Sequence, residues 1–187
     1  MSDENLEKPK FNYSEYLNKN KNKLIILSIL IIFFIFAGLF LNELKKKQMI
    51  KVSENFNSAK ILIEKKQKNE AKKLLISIID VKNKFYSPSA LNLIIEHNLI
   101  DDEKKIINFF DIIINEVNLD KEMKNLFIIK KTFFIGDSIK ENILLNNLKP
   151  LIESNSIWKN TALDYIQKYY ISQNQFEKAK QFDKSQN

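Results

Sequence analysis

Cysteine and arginine are absent from the chain, and its 187 residues include only two glycines and three prolines. Without cysteine, disulfide bonds, thiolate metal sites and cysteine nucleophiles are excluded. Tight hairpin turns and phosphate-binding loops need glycine, so its scarcity argues against a β-sandwich, a β-barrel or a glycine-rich nucleotide fold. The frequent residue types are Leu, Ile, Lys, Asn, Glu and Phe, which favour helices joined by polar turns. The composition therefore predicts an all-α protein.

Catalytic and metal-binding patterns are also scarce. The chain contains no phosphate-loop, nucleophile-elbow or zinc-protease motif. Its single histidine, His97, lies near the end of a predicted helix, where histidine commonly interacts with the terminal carbonyls. Glu96 and the acidic residues 101–103 flank the following turn, but they lack the spacing of a calcium loop and suit a helix N-terminus. We expect no catalytic residue, no cofactor and no bound metal ion.

One long segment is uncharged. Residues 24–41 read LIILSILIIFFIFAGLFL, and fifteen of these eighteen residues are Leu, Ile or Phe. As a helix with a rise of about 1.5 Å per residue, the segment is about 27 Å long, close to the hydrocarbon thickness of a bilayer. A cleaved signal peptide is the alternative, but no small-residue cleavage site follows the run. We predict an N-terminal tail over 1–23, a transmembrane anchor over 24–42 and a helical domain over 43–187.

The net charge of +7 is concentrated after the apolar run. Residues 43–84 hold twelve lysines and five acidic residues, whereas residues 85–187 hold thirteen lysines and fourteen acidic residues. Lysines near a membrane attract anionic lipid by about 1 kcal/mol each, and a solvated lysine-rich face is the alternative. The predicted membrane-surface residues are Lys45, Lys46, Lys47 and Lys51. Similar numbers of lysines flank the run on its two sides, so the positive-inside rule leaves the orientation open.

Nucleic acid is not an expected partner. Arginine, the usual residue for bidentate recognition of phosphates and bases, is absent, and the lysines do not alternate with aromatic residues on a predicted surface. The expected partners are a lipid bilayer and other proteins.

Apolar residues recur at spacings of three and four through the rest of the chain, which is typical of amphipathic helices. These helices group into consecutive pairs. The second helices of the pairs begin 32, 37 and 37 residues apart, near the tetratricopeptide period of about 34 residues. A single globule formed by the helices around 101–149 is the alternative to a repeat array. The predicted helix pairs cover residues 49–66 with 69–83, 87–97 with 101–117, 120–135 with 138–149, and 156–172 with 175–185.

Several residues are typical of helix ends. Ser87 precedes Pro88, so we predict that its hydroxyl caps a helix that begins with proline. Asp102 and Asp120 place negative charge at two further N-termini, where the helix dipole favours it. Pro150 is predicted to follow the second helix of the third pair.

Residues at the packing positions of the pairs resemble degenerate tetratricopeptide repeats. Ala71, in the segment NEAKKLL at 69–75, matches the small position of a second helix. In the last pair, Ala162 and Tyr165 match first-helix positions and Ala179 matches the second-helix small position. The predicted fold is therefore a single N-terminal transmembrane helix followed by an α-solenoid of about four degenerate tetratricopeptide-like pairs.

A tail, one span and such an array together resemble the YfgM-like family, ancillary subunits of the bacterial Sec translocon. The segment FYSPSAL at 85–91 is similar to the family's aromatic-x-x-x-Ala segment, and Gly136-Asp137 occupies an inter-helix turn. The resemblance implies an inner-membrane protein with a cytoplasmic N-terminus and a periplasmic domain over 43–187. It also implies a non-catalytic scaffold or chaperone-like role with translocon subunits, periplasmic chaperones or emerging secreted chains. A scaffold in another cell-envelope complex and an enzyme on a helical frame are the alternatives.

Aromatic residues between positions 109 and 170 fall mostly at helical spacing and are expected to build the core. A minority is expected to line the concave surface with which such arrays hold peptides. The predicted protein-binding residues are Trp158, Tyr165 and Tyr169.

Overall fold

Eight α-helices account for most of the residues that the structure, a computed structural model, describes: 21–136 and 139–183. No strand occurs in these two ranges, so the all-α prediction is confirmed. Three parts of the sequence lie outside these two ranges: the predicted tail up to residue 20, Asp137 of the predicted turn, and the last four residues. The helices are α1 Lys21–Glu64, α2 Lys68–Asp80, α3 Tyr86–Glu96, α4 Glu103–Glu116, α5 Lys121–Ile135, α6 Glu141–Ile152, α7 Lys159–Ser172 and α8 Phe176–Lys180.

Helix α1 contains the apolar run. Its large apolar side chains from Ile25 to Leu41 are exposed, and α1 is the one described helix long and apolar enough to cross a membrane. The chain divides into two units, residues 1–50 and 51–187, and α1 contributes to both. The predicted start of a separate helix near residue 49 is wrong. Neither glycine nor proline lies between Asn42 and Glu64, so nothing interrupts the helix there.

In the second unit, α3, α5 and α7 lie side by side, and the contacts between α5 and α7 show that these two are parallel. At the start of α7, the indole N–H of Trp158 donates to the Glu122 carbonyl at the start of α5, at 3.0 Å. Farther along both helices, the Tyr165 and Phe133 ring centroids are 4.3 Å apart. The contacts advance in the same direction along α5 and α7, so the two helices are parallel. Asn92 of α3 likewise accepts a hydrogen bond from Lys130 of α5, at 2.9 Å.

The even-numbered helices form a second parallel layer. Lys82 lies just beyond the C-terminal end of α2, and Glu116 lies at the C-terminal end of α4. Their side chains form an ion pair at 2.5 Å. At the starts of α6 and α8, Lys178 and Glu141 form another at 2.7 Å. Consecutive helices from α2 onward pack against each other across short connections, so they run antiparallel and alternate helices run parallel.

The buried side chains form two hydrophobic clusters. The first runs from Val52 to Phe127 and includes α4; the second runs from Ile129 to Ala179 and includes α6. Helix α5 contributes to both, because Phe127 and Ile129 lie two residues apart and point into different clusters. Ile128, which lies between them in the sequence, packs against both clusters, so the two clusters adjoin at α5.

The start of α3 differs from its prediction. Asn83 caps this end, since its side-chain oxygen accepts the backbone N–H groups of Phe85 and Tyr86 at 2.9 and 3.0 Å. Ser87 lies inside the first turn and is fully buried, and its hydroxyl donates to the Ile78 carbonyl of α2 at 2.8 Å. The prediction of Ser87 as the N-cap is wrong, because its oxygen joins two helices instead of closing one.

Two other helix starts are confirmed. The Asp102 carboxylate accepts the backbone N–H of Lys105 at 3.2 Å, and the Asp120 carboxylate accepts that of Met123 at 2.9 Å. Each acid satisfies an N–H group that has no partner within its own helix.

Pro150 lies inside α6, so its predicted place after the helix is wrong. Proline has no backbone N–H, and the carbonyl four residues earlier, on Asn146, loses its usual helical donor. The helix nevertheless continues for two residues, and Glu153 N–H donates to the Lys149 carbonyl at 3.0 Å. Gly136 follows α5 with φ of 65°, a conformation that side-chain-bearing residues rarely adopt.

Candidate functional site: an apolar groove between α3 and α5

A groove of about 490 Å³ opens on the layer of odd-numbered helices. Helices α3 and α5 form its two sides, and α4 contributes to its floor. The lining residues are Asn92, Ile95 and Glu96 from α3, Phe110 from α4, and Lys130, Phe133 and Phe134 from α5.

Helical periodicity explains why these residues meet. On α3 the lining positions are 92, 95 and 96, and on α5 they are 130, 133 and 134. Both sets follow the i, i+3, i+4 pattern, which places three side chains on one face of a helix. The two helices are parallel neighbours, so the two ridges face each other across the groove.

The floor and one wall of the groove are aromatic. Phe110 is 1% exposed, and its ring centroid lies 5.8 Å from that of Phe134. Phe133 is 44% exposed at the rim, although its ring packs against Tyr165. An exposed phenylalanine beside a cavity offers apolar surface to a ligand.

Lys130 is the cation of the groove. Its amino group donates to the Asn92 side-chain oxygen at 2.9 Å and lies 5.2 Å from the centroid of the Phe127 ring. Among the described residues no carboxylate oxygen lies within 4.0 Å of it, and partial burial lowers the pKa of Lys130. The groove thus holds a partly desolvated positive charge whose contacts are a neutral amide and an aromatic face.

The three predicted protein-binding residues are half-buried between helices. Tyr165 and Tyr169 donate their hydroxyls to the Thr132 and Ile139 carbonyls at 3.4 and 3.3 Å. Trp158, as described above, donates to α5. Tyr165 adjoins the groove through Phe133, whereas Trp158 and Tyr169 do not line it. Their role in binding a protein remains a prediction.

Phe110, Phe133 and Phe134 belong to the aromatic set that the sequence analysis assigned mostly to the core, whereas Asn92, Ile95 and Lys130 were missed. The signal was present, because the phenylalanines at 133 and 134 lie one turn after Lys130. The pattern could not reveal which of these side chains is left open, since that depends on how α3 packs against α5.

A buried polar network connects the starts of α5 and α7 beside Trp158. Asn125 donates to the Ser156 hydroxyl at 3.0 Å, and Ser156 donates to the Glu122 carboxylate at 2.7 Å. The same carboxylate accepts the Ile157 N–H at 3.2 Å. Each polar side chain in this network has a partner, so it holds two helix starts together and leaves no group directed at a ligand.

A second network lies at the C-terminal hairpin. The Glu141 carboxylate accepts hydrogen bonds from Lys178 at 2.7 Å and from the Tyr170 hydroxyl at 3.0 Å. The bond from Lys178 is the main cause of the lowered pKa of Glu141. Burial, followed by the bond to Glu141, raises the pKa of Tyr170 to about 12.

The predicted membrane-surface lysines are exposed along α1. Lys45, Lys46 and Lys47 follow the apolar run, and Lys51 is one turn farther along the same helix. Their contact with lipid remains a prediction.

His97 ends α3, and its carbonyl accepts a hydrogen bond from Lys68 at 3.2 Å. Within residues 21–136 and 139–183, no three or more His, Asp or Glu side chains are grouped as a metal site would require.

Comparison of the chain with protein-family models, curated proteins and solved structures gives no match. The three alanines on which the tetratricopeptide resemblance rests, Ala71, Ala162 and Ala179, are all buried. The YfgM-like resemblance stays a prediction.

Proposed function

We propose that this chain is a membrane-anchored protein-binding subunit whose helical array holds polypeptide segments in the groove between α3 and α5. The observation that carries the proposal is the open aromatic groove on one layer of parallel helices. Two-layered helical arrays characteristically bind extended or helical segments along one layer. The same arrangement supports the tetratricopeptide-like solenoid predicted from the repeat period.

The anchor in this proposal is the apolar part of α1. It is an uncharged segment with exposed Leu, Ile and Phe side chains, and lipid is the environment in which such a surface is stable. The lysines that follow it complement anionic headgroups. We place the helical domain in the periplasm and the N-terminus in the cytoplasm, on the strength of the YfgM-like resemblance.

Site-specific photocrosslinking in cells tests the binding role. A photoreactive phenylalanine analogue replaces Phe133, and the matched control carries it at Ile157, which is exposed but outside the groove. We expect polypeptide adducts from position 133 in clear excess over position 157. Equal adducts from both positions would contradict the groove as the binding site.

Identification of the crosslinked partners by mass spectrometry separates the two functional alternatives. Translocon subunits, periplasmic chaperones or emerging secreted chains support assistance at the Sec translocon. Components of cell-wall synthesis or outer-membrane assembly support a scaffold in another envelope complex.

Orientation is measured with single cysteines, which the natural chain lacks. A membrane-impermeant maleimide is expected to label Ile157→Cys in spheroplasts and Lys10→Cys only after lysis. The reverse pattern would place the helical domain in the cytoplasm.

A further inference from the structure

We propose that the groove selects protein segments in which a carboxylate lies beside a large apolar side chain, with Lys130 binding the carboxylate. This inference rests on the proposed function, because it specifies the chemistry of the segment that the groove holds.

The cation on the α5 side of the groove supports an acidic ligand. Lys130 is the lining cation, and its described partners are the Asn92 amide oxygen and the Phe127 ring. An ammonium group has three donors, so further donors remain for a ligand. Burial lowers the pKa of Lys130, and a bound carboxylate would replace the hydration that the amino group has lost.

Two other lysines of the chain have an acidic partner. Lys131, the next residue, forms an ion pair with Asp111 of α4 at 2.6 Å. Lys178 likewise forms an ion pair with Glu141 at 2.7 Å. Lys130 therefore differs from the partly buried Lys131 and the exposed Lys178 in that its complementary anion is not supplied by the described part of the chain.

The apolar part of the ligand is specified by Phe133 and Phe134. They follow Lys130 by one helical turn, a rise of about 5 Å along α5. An apolar ligand side chain on these rings therefore lies one helical turn from a carboxylate on Lys130. Glu96 also lines the groove, so its carboxylate disfavours a second acidic group on the ligand.

Fluorescence anisotropy with defined peptides tests the inference on the full chain in detergent micelles. The first probe is an acetylated and amidated amphipathic helix with Leu and Phe on one face and a single Glu one turn before a Phe. The second probe has Gln in place of this Glu. The protein variants are K130Q and F133A, and their matched controls are K124Q, on the exposed side of α5, and I157A.

We expect K130Q to weaken binding of the Glu peptide about tenfold and to leave the Gln peptide within about twofold, because a charge-assisted hydrogen bond is lost from one complex only. F133A is expected to weaken both peptides, and the two controls neither. If F133A weakens both peptides but K130Q does not distinguish them, the carboxylate inference fails and the groove remains the binding site. If neither variant differs from its control, or no peptide binds, both proposals fail.

A third probe distinguishes the two sources of the carboxylate. It is the Gln peptide with a free C-terminal carboxylate directly after an apolar residue. Weaker binding of this probe than of the Glu peptide supports an internal acidic side chain as the group that Lys130 binds. Tighter binding, with the same dependence on Lys130, would overturn that assignment in favour of a chain terminus.

Discussion

Lys130 and Lys131 are adjacent residues with different electrostatic surroundings. Lys131 has an ion pair with Asp111, whereas Lys130 is desolvated without an acidic partner in the described part of the chain. Burying a cation that lacks an anion costs free energy, and proteins tolerate such costs mainly where the group serves a function.

This contrast gives a stability prediction at the residue scale. Lys131→Met is expected to lower the free energy of unfolding by about 1 kcal/mol, because it leaves Asp111 without its partner. Lys130→Met is expected to leave stability unchanged or to raise it, because an apolar side chain carries no desolvation cost. Thermal unfolding followed by circular dichroism compares the two. A larger loss from Lys130→Met would mean that Lys130 is a structural residue.

Ser87 shows how one hydroxyl joins two helices. Ser87→Ala removes the buried bond to Ile78 and leaves that carbonyl without this donor, so we expect a loss of about 1 kcal/mol. Ser77→Ala is the matched control, because the Ser77 hydroxyl bonds the Leu74 carbonyl of its own helix at an exposed position. Urea unfolding measures both, and equal losses would contradict a special role for Ser87.

At the scale of elements, the Glu141 network holds α6, α7 and α8 together and responds to pH. The pKa of Glu141 is lowered in the folded protein, so its contribution to stability is present above the ordinary glutamate pKa and is lost as the pH falls from that value through the lowered pKa of the folded state. The pKa of Tyr170 is raised from 10.0 to about 12, so its contribution is present below pH 10 and is lost between about pH 10 and 12.

Thermal unfolding measured across pH tests both expected losses of stability, the acid phase from Glu141 and the alkaline phase from Tyr170. Tyr170→Phe is expected to remove the alkaline decline, because phenylalanine does not ionise, and Glu141→Gln is expected to remove the acid decline. Tyr165→Phe is the control and is expected to retain both phases, since its hydroxyl bonds a carbonyl. An alkaline decline that persists in Tyr170→Phe would assign it to another group.

Helix α6 contains a proline, a residue that helical geometry disfavours. Pro150→Ala is expected to raise the free energy of unfolding by about 1 kcal/mol, less than the roughly 3 kcal/mol for a helix centre, because α6 ends two residues later. Lys149→Ala, at the exposed neighbouring position, is expected to change it by less than about 0.5 kcal/mol. No gain from Pro150→Ala would indicate that α6 ends before residue 150, as the sequence alone predicts.

At the scale of the whole molecule, the division of the core into two clusters makes local unfolding measurable. Leu75 and Leu148 are both fully buried, the first in one cluster and the second in the other. Either Leu→Ala change is expected to cost about 2–4 kcal/mol, because it removes buried surface and leaves a cavity.

Hydrogen exchange locates the loss. In an array in which each helix contacts mainly its neighbours, Leu148→Ala is expected to increase exchange in α6–α8 far more than in α2–α4. Leu75→Ala is expected to do the reverse. Uniform increases in both variants would show that the second unit unfolds as one cooperative globule.

Features that depend on a short stretch of chain were predictable from the sequence. The helices after α1 begin and end close to their predicted positions, except that α8 ends at Lys180 and not at the predicted residue 185. Asp102 and Asp120 cap the predicted starts, because capping involves residues a few positions apart. The predictions failed at Ser87 and Pro150, where the local rule was correct for an isolated helix but packing against a neighbour changed the outcome.

The sequence by itself determined an all-α chain with one helix apolar enough to cross a membrane, since hydropathy and helical period are local properties. Only the tertiary structure decided that α3 and α5 lie parallel with matching ridges, that Phe133 is left at a rim, and that Lys130 faces a groove while Lys131 meets Asp111. Lys130 and Lys131 are the same residue type and have nearly the same neighbours in the sequence. Their different surroundings arise from the packing of helices distant in the sequence, which no local pattern encodes.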